Sequence, residues 1–80
     1  VVPTHEMAAA FMAGGYARVS GRPGVVTTIP GPGFTYALTG LAEAFLDSVP
    51  LLHVVPAARQ IEGREFALQA IDQPAMAGAV

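Results

Sequence analysis

Gly24-Val25-Val26-Thr27-Thr28-Ile29-Pro30-Gly31-Pro32-Gly33 is the stretch whose reading decides the fold. Val25 to Ile29 is a short β-branched run bounded by Gly24 and Pro30, the pattern of a central strand in a parallel sheet. Gly31-Pro32-Gly33 reads as a tight turn, and a helix is expected behind it from about Thr35 to Asp47. Leu38, Leu41, Ala42, Phe45 and Leu46 form that helix's apolar stripe, and Thr39, Glu43 and Asp47 a thin polar one. Ala37, Gly40 and Ala44 add a strip of small residues suited to close packing. Leu51 to Val55 is the next short apolar run, closed by Pro56.

Working upstream, Thr4 is a good N-cap for a helical stretch from about His5 to Ser20. Ala8, Phe11, Met12, Gly15 and Val19 share one face, while Ala9, Ala10, Ala13, Gly14 and Ala17 occupy the others, so almost nothing on this helix is made for water. Gly21 supplies a C-cap and Pro23 prevents continuation. Val1-Val2-Pro3 reads as the end of a buried strand whose earlier residues lie outside the chain. Downstream, Arg59 to Arg64 reads as loop, Phe66 to Ile71 as a helical turn, and Pro74 interrupts before an Ala-rich tail. The order is strand, helix, strand, helix, strand. Right-handed crossovers then give an α/β fold, an incomplete βαβαβ unit of a parallel sheet with helices on both faces.

Composition narrows the function. With 80 residues, the chain is expected to be part of a single domain, residues 1–80. It is 52% hydrophobic and 12% charged, against about 25% charged in a typical soluble domain, so it reads as an interior whose exterior lies elsewhere. A net charge of −2 with four scattered Arg and no Lys leaves no basic patch for nucleic acid. No apolar run approaches a membrane span and no secretory signal opens the chain. The absence of Cys fits a cytoplasmic protein. Two His without Cys argue against a metal site in this chain.

In open parallel sheets, ligands gather where strands run into helices. Glu6 lies in such a place, in the first turn of a helix with almost no other charge. Two readings stand even on the pattern alone: an acid complementing the helix dipole, or a carboxyl pointing into a site and exchanging a proton there. Gly31-Pro32-Gly33 fails as a phosphate loop, since the chain has no Lys and Tyr36 stands where a dinucleotide fingerprint wants its third Gly. What remains is a turn that lets a flat ligand or another backbone approach. His53 reads as a satisfied buried histidine, and Ser20 and Ser48 as caps or turn residues.

Three blocks carry a family likeness: His5 through Arg18 followed by Gly21-Arg22-Pro23-Gly24-Val25; Gly31-Pro32-Gly33; and Thr39-Gly40-Leu41-Ala42-Glu43-Ala44 with Asp47-Ser48-Val49-Pro50. Over about residues 4 to 56 the chain resembles the pyrimidine-binding domain of thiamine-diphosphate enzymes, in the superfamily of acetolactate synthase, benzoylformate decarboxylase and other 2-oxo acid decarboxylases. The resemblance implies the thiamine-diphosphate-binding fold. It makes Glu6 the activating glutamate, which hydrogen-bonds N1′ of the cofactor's aminopyrimidine and so helps to remove the thiazolium C2 proton. Gly31, Pro32 and Gly33 would lie beside the pyrimidine, with Pro30 and Gln69 on the substrate side.

The same resemblance implies a lyase or carboligase acting on a small-molecule 2-oxo acid, as a homodimer or homotetramer with its site at the subunit interface. It places Mg2+ and the diphosphate on a separate Gly-Asp-Gly…Asn domain, so these 80 residues alone are expected to bind cofactor weakly and turn over nothing. Some positions depart from the family. Pro30 replaces a small polar residue, Pro56-Ala57 a frequent Gly-Gln, and Leu68-Gln69-Ala70 a Phe-Gln-Glu. Those loops face substrate or flavin in relatives, which leaves FAD open, whereas Ile71-Asp72-Gln73 is nearer to some decarboxylase-like members. The alternative function is a non-catalytic homologue serving as a dimerisation or regulatory module. A generic nucleotide-binding domain is the third reading, weakened by the missing Gly and Lys.

Overall fold

The computed structural model describes residues 1–57 and 69–80. Helix α1 spans Glu6–Ser20, strand β1 Gly24–Thr27, helix α2 Pro32–Leu46, strand β2 Leu51–Val54, and a short helix α3 Gln73–Ala77. The strands form a two-stranded parallel sheet in the register Gly24↔Leu51 to Thr27↔Val54. The α/β class, the parallel sheet and the element order agree with the sequence reading, with two strands of the expected three among the described residues. Arg59 to Arg64 and the first half of the Phe66 to Ile71 turn lie outside the described residues.

The third strand was expected at Val1-Val2-Pro3, and here the structure corrects the reading. These residues form no strand, and both valines are fully exposed. They line a groove together with Val25 to Ile29, and backbones separated by a groove cannot pair. The start of α1 is also corrected by one residue. His5, not Thr4, is the N-cap: its Nδ1 accepts the Met7 N–H at 3.1 Å, and its carbonyl accepts the Ala9 N–H. Gly21 at φ 67° closes α1, donating its N–H to the Ala17 carbonyl.

The largest correction to the reading of α2 is its start. Pro32 and Gly33 form the first turn of α2 instead of a separate tight turn, because proline's fixed φ suits the first helical position. Gly31 is the cap, at φ 65° and ψ −118°, a backbone conformation open to glycine and strained for other residues.

The buried helix faces are mainly the small-residue ones, with Phe34 of α2 as the large exception. Ala10, Ala13, Gly14 and Ala17 of α1 are buried, as are Gly33, Ala37, Gly40 and Ala44 of α2. The expected apolar stripe of α1 stays exposed, with Val19 at 91%, while that of α2 is half-buried at Leu38, Leu41 and Ala42 and exposed at Phe45 and Leu46. The reason is distance. A Cβ on Gly40 would stand 2.6 Å from the Ala10 Cβ, and one on Gly24 would collide with the Ala13 carbonyl oxygen. Helix against helix and helix against strand therefore approach at backbone range, where dispersion between close-packed atoms stands in for large side chains.

These helices cover the sheet face carrying Gly24, Val26, Leu51 and His53, while Val25, Leu52 and Val54 on the opposite face remain exposed. The second helical layer expected from the sequence has no counterpart among the described residues. On the covered face, His53 stacks on Phe34 with ring centroids 5.5 Å apart and shares a 2.9 Å hydrogen bond with the Thr28 hydroxyl. This is the satisfied histidine the sequence suggested. The Arg18–Asp47 ion pair at 2.5 Å joins α1 to the end of α2, but both partners are about half exposed, so it adds little to stability.

Two outcomes follow from this packing. Gly40→Val should lower the urea midpoint of unfolding by an amount equivalent to about 1–3 kcal/mol, because Ala10 and its backbone cannot recede. Thr39→Ala, on the exposed side of the same helix, should stay within about 0.5 kcal/mol. The second concerns His53, whose pKa burial lowers from the ordinary 6.5. The unfolded chain then binds the proton more readily, so this contribution is complete above pH 6.5 and is lost as pH falls through the lowered value. The stability advantage of the wild type over His53→Gln should shrink between about pH 7 and pH 5; an advantage independent of pH would contradict the assignment.

Candidate functional site

The carboxyl ends of β1 and β2, the N-terminus of α1 and the N-terminus of α2 meet at one edge of the sheet. This follows from Glu6, in the first turn of α1, lying against Gly33, in the first turn of α2. A Cβ on Gly33 would be 3.4 Å from Glu6 Oε1 and 2.5 Å from Ile29 Cγ1. A residue without a side chain lets Ile29 pack against that backbone, with Glu6 at contact distance beside it. Glu6 is half-buried, and among the described residues no donor bonds its carboxylate. Beside it, the rings of His5 and Tyr36 stand 5.0 Å apart and tilted by 55°.

A second layer backs the turn. Gln69, at φ 62°, lies over Gly31: a Cβ on Gly31 would come within 2.7 Å of the Gln69 carbonyl oxygen. Gln73 is only 9% exposed. Its Oε1 accepts the Gly31 N–H at 3.0 Å and its Nε2 donates to the Pro56 carbonyl at 3.3 Å. Asp72 caps α3 by accepting the Ala75 N–H at 3.0 Å.

Of the residues singled out from the sequence, Glu6, Gly31, Pro32 and Gly33 therefore share one edge, with Pro30 entering the turn and Gln69 packed on it. Ser20 and Ser48 are elsewhere. The Ser20 hydroxyl accepts the Arg22 N–H beyond the end of α1, and Ser48 takes a positive φ of 56° after α2. Ile29 and Gln73 were missed. The available signal for Gln73 was a polar residue beside Pro74 that follows two Pro-rich loops, whose backbone groups need partners outside the ladder.

A groove of about 690 Å³ runs between the N-terminal segment, α1 and β1. Its walls include Val2, Met12, Tyr16 and Val25, and Glu6 lines it too. Gly31, Pro32 and Gly33 do not, so Glu6 stands between this groove and the turn. Among the described residues no group of three or more His, Cys, Asp and Glu side chains could hold a metal ion. No described helix is long and apolar enough to cross a membrane.

Comparison with known proteins gives this edge a context. Residues 1–76 match the family model described as thiamine pyrophosphate enzyme, N-terminal TPP binding domain. A probable 2-ketoarginine decarboxylase, AruI, of Pseudomonas aeruginosa is 58% identical over 52 residues, which is 65% of this chain and 9% of that protein. The chloroplastic acetolactate synthase of Arabidopsis thaliana is 52% identical over 54 residues, covering 68% of this chain and 8% of its own length. The mitochondrial acetolactate synthase catalytic subunit of Saccharomyces cerevisiae is 52% identical over 52 residues, covering 65% and 8%. The chain thus spans less than a tenth of each of these relatives. With the family model matched over nearly all of its residues, the chain belongs to the N-terminal thiamine-pyrophosphate-binding domain family of the thiamine pyrophosphate enzymes.

Proposed function

We propose that this chain forms the aminopyrimidine-holding part of a thiamine-diphosphate-dependent lyase or carboligase acting on a 2-oxo acid, with Glu6 as its proton-exchanging group. The observation that carries the reading is the Glu6 carboxylate lying against Gly33 without a described hydrogen-bond donor. A flat, nitrogen-rich ring fits what is present there: an acceptor oxygen on Glu6 and an exposed apolar surface from Ile29, both beside Gly33. When bound, thiamine diphosphate supplies the thiazolium carbon that adds to a 2-oxo acid and the ring that takes up the electrons of decarboxylation.

Glu6 would hold a proton between its carboxylate and the ring nitrogen N1′, a group that must change protonation during turnover. Its place in the first turn of α1 lets the helix dipole favour the ionised form whenever the proton moves to the ring. Gly31 and Pro32 start α2 so that Gly33 faces Glu6. Pro30 and Gln69 are assigned to the substrate side of this turn, a role their proximity to Gly31 supports.

The remaining assignments extend the same reading. Residues 1–80 are taken as part of one domain, supported by the single family match over residues 1–76. Mg2+ and the diphosphate are assigned to a separate domain, and FAD stays open between the decarboxylase and synthase relatives. Assembly as a homodimer or homotetramer with the site at the interface is supported by Phe11, Met12, Tyr16 and Phe45, all exposed on α1 and α2. A cytoplasmic location rests on composition alone, since the plant and yeast relatives are named chloroplastic and mitochondrial.

In the holoenzyme containing this chain, Glu6→Gln should slow exchange of the thiazolium C2 proton by about 10²- to 10⁴-fold. The circular dichroism spectrum should be unchanged, because among the described residues the carboxylate holds no structural hydrogen bond. An exchange rate within about threefold of wild type would remove Glu6 from this role.

A further inference from the structure

We propose that Gln73 is a positioning residue for the activating carboxylate, acting through the turn at Gly31; the proposal rests on the reading of Glu6 given above. The geometry is a clamp. One buried side-chain amide bonds two loops that leave different strands: its Oε1 accepts from Gly31 after β1, and its Nε2 donates to Pro56 after β2. Gln73 is 42 residues from Gly31 and 17 from Pro56, so neither bond belongs to local secondary structure. At 9% exposure, water cannot readily replace either partner, and a lost bond leaves a buried polar group unsatisfied.

What the clamp holds is the strained start of α2. Gly31 has φ 65° and ψ −118°, and no capping side chain of its own closes that helix end. Its N–H is held by Gln73, and its carbonyl accepts the Thr35 N–H at 3.1 Å. Two residues on, Gly33 meets Ile29 at a distance that no added carbon would allow and lies in ordinary contact range of Glu6. Rotation at Gly31 therefore moves the surface against which the Glu6 carboxylate rests. Gln73 touches neither the carboxylate nor the place assigned to the ring, and acts only by fixing Gly31. Both faces of its amide are required, because one must accept and the other donate.

That requirement supplies a test distinct from a loss of folding. Gln73→Glu keeps the acceptor toward Gly31 but, when ionised, has no proton to give to Pro56; when protonated, the carboxyl reproduces both bonds. In the holoenzyme at saturating thiamine diphosphate and Mg2+, C2 proton exchange in Gln73→Glu should be slower than wild type by about 10- to 100-fold at pH 8. The deficit should close as pH falls and the introduced carboxyl protonates. In the cofactor-free protein, amide hydrogen exchange of Gly31 should be faster than wild type for Gln73→Glu at pH 8, and for Gln73→Asn, whose shorter side chain cannot span both loops, at every pH.

A wild-type exchange rate at every pH in Gln73→Glu, with only its melting temperature lowered, would overturn the positioning role. So would an unchanged Gly31 amide in both variants. Should Gln73→Glu fail to fold, the Gly31 amide and the C2 exchange rate of Gln73→Asn decide the matter on the same criteria. If Glu6→Gln leaves C2 exchange unchanged, the functional reading of the site fails, and the Gly31 amide still reports whether the clamp exists.

Discussion

The seam between α1 and its neighbours is the constraint on which the rest of the structure depends. Along it Ala10 meets Gly40 and Ala13 meets Gly24, at separations that leave no room for another carbon. Because backbones touch, the seam holds α1 at a fixed height and rotation against both α2 and β1. One turn of helix before Ala10, about 5.4 Å along the axis, stands Glu6. Two turns before Gly40 stands Gly33. The pairing of Glu6 with Gly33 at the end of the sheet is therefore the continuation of a contact made in the middle of the helices. A core of alanines and glycines buries little apolar area per residue, but it positions a helix end with a precision that longer side chains, which have rotamers to choose from, do not provide.

The same logic accounts for the exposed surface. Apart from Phe34, small residues take the inward faces, and Phe11, Met12, Phe45 and Leu46 are left outside. This is the origin of the imbalance between a 52% hydrophobic composition and 12% charge. Those larger side chains are surplus to the packing within the chain and suit surfaces that further protein covers. At the edge of the sheet a different device operates. Backbone groups that have left the ladder are satisfied by the Gln73 amide, which ties the loops after the two strands together at Gly31 and Pro56.

Much of this was legible in the residues themselves. Pro30, Gly21 and Pro56 mark where elements end, and short β-branched runs between them are strands with little competition. Glu6 and Gly31-Pro32-Gly33 were visible because a lone acid at a helix start and a Gly-Pro-Gly after a strand are uncommon in so apolar a chain. The buried faces were misjudged for α1 because periodicity gives weight to large side chains such as Phe11 and Val19, while close approach selects Ala and Gly. The N-cap moved from Thr4 to His5 because an imidazole nitrogen can accept the same bond as a hydroxyl. Gln73 escaped notice because its partners are distant in sequence and are backbone groups, which leave no mark on composition or spacing.

The central claim is that Glu6 meets the aminopyrimidine of thiamine diphosphate at Gly33. A crystal structure of the complete enzyme with thiamine diphosphate and Mg2+ tests it most directly. The account predicts a Glu6 carboxylate oxygen about 2.5–2.9 Å from the ring nitrogen N1′, with the ring beside the Gly31-Pro32-Gly33 start of α2. A carboxylate turned away, or a ring held elsewhere with Glu6 more than about 4 Å from any of its nitrogens, would contradict it.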